Sequence, residues 1–106
     1  MIDKRYILQM IKDSVQQTEP GATVILYGSY ARGEEKEDSD IDVLILIDSD
    51  REKITRGEKI KITYPICGIE LETDTVISPV VYTKKGWATH RVTPYFENVN
   101  KEGVVL

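Results

Sequence analysis

Residues 27–48 read YGSYARGEEKEDSDIDVLILID, and the fold turns on how this stretch is read. An apolar run, Val24 to Leu26, ends at Tyr27 and turns through Gly28-Ser29. A charged connector, Arg32 to Ser39, leads into Asp40-Ile41-Asp42 and a second apolar run, Val43 to Ile47. Both runs are rich in β-branched residues and leucine and are bounded by glycine or charge, so each predicts a buried strand. Side chains alternate along a strand, so Asp40 and Asp42 share a face, roughly 6.5–7 Å apart. Two carboxylates that close at the mouth of an apolar strand repel each other and resist desolvation. A hard divalent cation such as Mg²⁺ relieves both penalties, filling its other positions with water and phosphate. Gly28 lets backbone come close to a ligand. A helix starting at Ser29 would aim free N–H groups at phosphate, with the Ser29 hydroxyl as a further donor. Each residue alone has an ordinary reading, since Asp and Ser often close turns. That reading does not explain two same-face carboxylates entering one strand beside a Gly-Ser that ends another.

The string G-S-x-A-R-G followed by S-D-I-D-V-L, with ten residues between Ser29 and Asp40, resembles the signature of the DNA polymerase β-like nucleotidyltransferase superfamily. It is most similar to the smallest members, the minimal nucleotidyltransferases. The resemblance covers about a fifth of the chain and implies an α/β (α+β) nucleotidyltransferase fold, with a small mixed sheet and helices packed mainly on one face. It implies phosphate binding at Gly28, Ser29, Arg32 and Ser39, with Mg²⁺ or Mn²⁺ on Asp40 and Asp42. Arg32 has two candidate partners, a phosphate or Asp40. The superfamily typically sets a third acid on a later strand; here Ser78 stands where it is expected. Asp74 is the nearest acid of the same strand parity, ahead of Glu72 and Glu70, and is the first substitute for the third catalytic carboxylate.

The chain of 106 residues has the length for one domain, residues 1–106, around one core. Its net charge is −4, with mixed signs and no basic stripe, which disfavours autonomous DNA or RNA binding. No apolar run approaches the roughly 20 residues that span a bilayer. The start, Met1-Ile2-Asp3-Lys4-Arg5, lacks a signal-peptide core, so the cytoplasm is the expected location. One Cys and one His exclude a Cys/His zinc site from this chain alone. Cys67 is expected as a small core residue.

The remaining segments read as support. Asp3–Gln17 predicts a helix with Tyr6, Ile7, Met10, Ile11 and Val15 on one face and Asp3 as its cap. Ser49 or Asp50 is expected to cap a further helix. Across Arg51–Glu72 the helix is expected to break near Gly57 or Pro65, with Ile66, Ile69 and Leu71 facing the core. Thr75–Tyr82 predicts a third strand, bulged or at an edge because of Pro79. Trp87 is expected beneath the sheet and His90 at the surface. Thr93-Pro94 opens a last helix with Tyr95, Phe96 and Val99 on its apolar face, ended by Gly103. Val104-Val105-Leu106 is an apolar tail that docks on the body or meets another chain.

The resemblance implies transfer of a nucleoside monophosphate, AMP from ATP, to a hydroxyl acceptor. No room remains for an acceptor domain, so another chain or a second copy is expected to supply that surface. Minimal nucleotidyltransferases are often paired with a small helical HEPN-type protein, as in toxin–antitoxin systems, and the acceptor there is a tyrosine of the partner. Two other readings stay open. One is a non-catalytic nucleotide- or partner-binding module that has lost the third acid. The other is transfer to a small molecule within a homodimer.

Overall fold

The computed structural model describes residues 3–106; Met1 and Ile2 of the charged start lie outside them. Helix α1 (Lys4–Thr18) leads to strand β1 (Thr23–Tyr27), one-turn helix α2 (Ser29–Arg32) and strand β2 (Ile41–Ile47). Helix α3 (Arg56–Thr73), strand β3 (Ile77–Thr83), helix α4 (Lys84–Ala88), helix α5 (Pro94–Glu102) and strand β4 (Val104–Val105) follow. The sheet order is β3-β2-β1-β4. β2 runs parallel to β3, and β1 is antiparallel to both β2 and β4. The mixed α/β architecture is the one expected.

Alternation along β2 divides the interior into two cores. Ile41, Val43, Ile45 and Ile47 meet Ile7, Ile11 and Val15 of α1 and Ile62, Ile66 and Ile69 of α3. Leu44 and Leu46 point the other way and meet Trp87 of α4 and Val99 of α5. The two long helices thus share one face, and the short α4 and α5 cover part of the other. Trp87 stacks on Phe96 at 4.9 Å between ring centroids, which fixes α5 against α4.

Local chemistry sets the boundaries. Asp3 caps α1 by accepting the Arg5 N–H at 2.8 Å. Thr83 caps α4, and Thr93 caps α5 with Pro94 in its first turn. Pro79 lies on β3, an edge strand, opposite Val43 of β2. The apolar tail becomes β4, and Leu106 donates its N–H to the Val24 carbonyl at 2.9 Å.

Several expectations are corrected. α3 is unbroken from Arg56 to Thr73 and carries Pro65 inside it. Its cap is Thr55 rather than Ser49 or Asp50, because Thr55 and Glu58 form a reciprocal capping box that satisfies two free N–H groups. Ser49 instead accepts the Arg51 N–H in a turn. Leu71 and Cys67 face solvent on α3, on the side away from Ile62, Ile66 and Ile69. Tyr6 is likewise turned outward. His90 is half-buried, hydrogen-bonded through Nδ1 to the Gly86 carbonyl and packed against Tyr82 and Trp87.

Candidate active site

Three strand ends and one helical turn meet at one end of the sheet. β1 ends at Tyr27 where β2 begins, and Asp42 pairs with Tyr27 on one side and Ser78 of β3 on the other. Asp42 and Ser78 have the parity of Leu44 and Val80, so they point to the face that carries α4 and α5. Asp40 lies just before β2 and accepts a hydrogen bond from the Ser78 hydroxyl at 3.4 Å. The carboxylate pair and the serine in the third acid's expected place are therefore neighbours.

Gly28 joins this group because its backbone needs it. Its φ of +76° is in the left-handed region, and a Cβ there would overlap the Asp42 carboxylate. The chain then enters α2, whose first bonds run from the Ala31 and Arg32 N–H groups to the Gly28 carbonyl. Gly33, with φ +72°, closes the turn. This geometry places Arg32 beside the Gly28 N–H. Arg32 pairs with Glu102 at the end of α5, at 3.1 and 3.2 Å to its two oxygens, and with Glu34 at 3.6 Å. It does not take Asp40 as its partner, because Glu102 presents both oxygens to one nitrogen. The Glu102 Oε1 also accepts the Gly28 N–H at 3.4 Å. An anion already occupies two of the donors expected to hold phosphate, Gly28 and Arg32.

The electrostatics follow from this crowding. Burial, then the Asp40 charge, pushes the Asp42 carboxyl up, while Arg32 opposes both. Burial also pushes the Tyr27 hydroxyl up, and Asp42 adds to the rise. Tyr27 therefore stays a neutral phenol, accepting from the Tyr95 hydroxyl at 2.8 Å. Two crowded carboxylates with one partly desolvated are the oxygen donor set that a hard divalent cation neutralises, so Asp40 and Asp42 fit Mg²⁺ or Mn²⁺.

Two expected site residues are elsewhere. Asp74 is the left-handed cap ending α3, at φ 54°, and is not on a strand, so its assumed parity with Ser78 fails. It lines a cleft of about 740 Å³ with Ile41, Tyr30 and Glu35, on the α1–α3 side of the sheet. Asp40 and Asp42 have the opposite parity to Ile41. Glu70 and Glu72 lie within α3, and Glu70 accepts the Ile77 N–H at 2.9 Å. Among the described residues, no group of three His, Cys, Asp or Glu side chains is placed to hold a metal ion. Ser39 is tied to the connector, its hydroxyl accepting the Lys36 N–H at 2.8 Å. A second cleft, about 340 Å³, lies at the far end of β3 beside Thr83 and His90. The sequence reading missed Glu102, which carries no local motif, and Tyr27, whose place opposite Asp42 appears only once the strands are paired.

The family described as "Nucleotidyltransferase domain" matches residues 8–94. The chain belongs to this family. Its similarity to curated relatives points to the minimal nucleotidyltransferases. It is 42% identical over 81 residues to "Putative protein adenylyltransferase MJ0141" of Methanocaldococcus jannaschii, spanning 76% of this chain and 73% of that protein. It is 40% identical over 85 residues to "Putative protein adenylyltransferase MJ0604" of the same organism, spanning 78% and 75%. Among solved structures, the nucleotidyltransferase resembles "the toxin-antitoxin with AMP-PNP", with a TM-score of 0.57 at 17% identity over 98% of this chain and 72% of that one. It also resembles a point mutant of "the toxin-antitoxin MntA-HpeT", with a TM-score of 0.58 at 18% identity over 100% and 72%. These two likenesses establish the shared fold.

Proposed function

We propose that this nucleotidyltransferase moves AMP from ATP to a hydroxyl group, a tyrosine of a small helical HEPN-type partner. The observation that carries the reading is the junction of an anion cradle (Gly28 and Arg32) with the paired carboxylates Asp40 and Asp42. The adenylyl group is supported by the names of the relatives, and the toxin–antitoxin setting by the descriptions of the structural neighbours.

Gly28 and Arg32 receive the triphosphate in place of Glu102, with Ser29 beside them. Asp40 and Asp42 would hold Mg²⁺ or Mn²⁺, which supplies charge neutralisation at the α-phosphate and lowers the pKa of the acceptor hydroxyl. The acceptor oxygen forms a bond to the α-phosphorus, and the bond to the oxygen bridging the β-phosphate breaks. Pyrophosphate leaves, and the acceptor proton passes to solvent. Ser78 orients Asp40 through its hydrogen bond. The chain's own contribution is positioning and electrostatic stabilisation.

Ser78 in the third acid's place favours a second reading, a binding module without turnover. One experiment separates the two. The protein is incubated with α-labelled ATP and Mg²⁺ or Mn²⁺, with and without the protein encoded beside it. Label passes to that protein's tyrosine, and Asp40→Asn/Asp42→Asn abolishes the transfer. Metal-dependent nucleotide binding with no transfer to protein or small molecule would select the binding module.

A further inference from the structure

Helix α3 is apolar on two sides. Ile62, Ile66 and Ile69 are buried against the sheet. On the outer side, Ile60, Tyr64 and Leu71 are 51%, 76% and 87% exposed, and Cys67 is exposed with them. At 100° per residue these four side chains fall within about 60° of one another, so they form one stripe about 16 Å long. Single exposed apolar residues are common on protein surfaces, whereas an aligned stripe on one helix marks a contact surface.

The flanks of the stripe say what covers it. Lys59-Ile60-Lys61 stands at one end and Glu70-Leu71-Glu72 at the other. An antiparallel helix that sets Ile60 opposite Leu71 also sets Tyr64 opposite Cys67. Lys61 and Glu72 project, exposed, on one flank of the stripe; on the other flank Lys59 is exposed, while the Glu70 carboxylate is already bonded to the Ile77 N–H of its own chain. In a two-fold pair like flanks meet. Lys61 then lies beside Glu72 of a second copy, and Glu72 beside Lys61 of that copy, each offset axially by about 3 Å. A uniformly acidic or basic partner would be repelled by one half of the helix; the helix itself, reversed, is matched at both ends.

We infer that α3 is a two-fold, antiparallel docking surface for a second copy of this chain, with Ile60, Tyr64, Cys67 and Leu71 at its centre. α3 packs on the sheet face opposite the Asp42 side chain, so the pairing leaves both active sites open. A single helix pair lies at the small end of the interface range, so the dimer is weak and concentration-dependent.

Sedimentation equilibrium from micromolar to near-millimolar protein tests this. The unmodified protein is expected to pass from monomer to dimer. Leu71→Glu is expected to hold it monomeric with an unchanged circular dichroism spectrum, since that side chain touches little of its own chain. Lys61→Glu alone and Glu72→Lys alone each create two repulsive pairs, weakening self-association about tenfold. Mixing the two single variants restores both ion pairs, so a heterodimer of near-original affinity forms. A protein that stays monomeric throughout overturns the inference, even if a different helical protein binds the stripe. So does a dimer indifferent to Leu71→Glu, or a mixture of the charge variants that does not reassociate.

Discussion

At the scale of single residues, the candidate active site opposes the stability of the fold that holds it. The folded state raises the Asp42 carboxyl above its ordinary value of 3.8. A carboxyl raised by folding favours the folded state below its unfolded pKa, and that advantage is lost as pH rises through the folded pKa. At neutral pH the ionised Asp42 is therefore a penalty. Asp42→Asn is expected to raise the melting temperature by a few degrees at pH 7 while lowering nucleotidyl transfer by roughly a hundredfold or more, read by calorimetry and the labelled-ATP assay. Glu102 opposes the proposed phosphate binding in a different way, since its carboxylate takes the Gly28 N–H and the Arg32 guanidinium. A triphosphate and a carboxylate cannot share those donors. Glu102→Gln is expected to tighten binding of a non-hydrolysable ATP analogue by about three- to tenfold, and Arg32→Ala to weaken it, both by calorimetric titration. Equal affinity in all three proteins would mean that phosphate binds elsewhere. The grouping of Gly28 with Asp42, and of Asp40 at the mouth of the same strand, is legible in the sequence because these residues are close in the chain. Glu102 is not, because it meets Arg32 across 70 residues and only the packing of α5 brings it there.

At the scale of elements, capped helices were readable and the two-sided one was not. Asp3 and Thr93-Pro94 announced α1 and α5 through short-range hydrogen-bond chemistry. Ile60, Ile62 and Tyr64 instead alternate like a strand, because α3 carries apolar residues both to the core and to solvent, which blurs the helical period. Pro65 then suggested a break, although the helix runs through it. The start of α3 is held by Glu58, which bonds Arg51 and both the N–H and hydroxyl of Thr55. These contacts, Arg51 foremost, hold the Glu58 carboxyl down from 4.5 to about 2. A lowered carboxyl contributes stability above its unfolded pKa and loses it as pH falls through the folded value. The urea midpoint is therefore expected to fall between about pH 4.5 and 2, and Glu58→Gln to flatten that part of the profile. A profile unchanged by Glu58→Gln would assign the acid loss to other carboxylates.

At the scale of the whole molecule, β2 is the shared wall of two cores. Ile41, Val43, Ile45 and Ile47 belong to the core under α1 and α3. Leu44 and Leu46 belong to the one under α4 and α5. The sequence showed β2 as a continuous apolar run, the mark of a strand buried on both faces, but which helix covers which face depended on a chain path that no local pattern records. Neither core can open without exposing alternate residues of the same strand, so we propose that residues 3–106 unfold as one cooperative unit. Two probes separate the cores. Trp87, the chain's only tryptophan, lies in the core under α4 and α5, stacked on Phe96. Far-ultraviolet circular dichroism is dominated by α1 and α3, the two longest helices, on the other face. Urea transitions followed by tryptophan fluorescence and by circular dichroism are expected to superimpose, with one midpoint and one slope. Truncating Val99 to Ala, in the Trp87 core, should lower both midpoints together, by the about 1–3 kcal/mol of a buried aliphatic side chain. A fluorescence transition that falls alone would show α4 and α5 to be a separable layer over an independently stable β1–β2–β3 sheet.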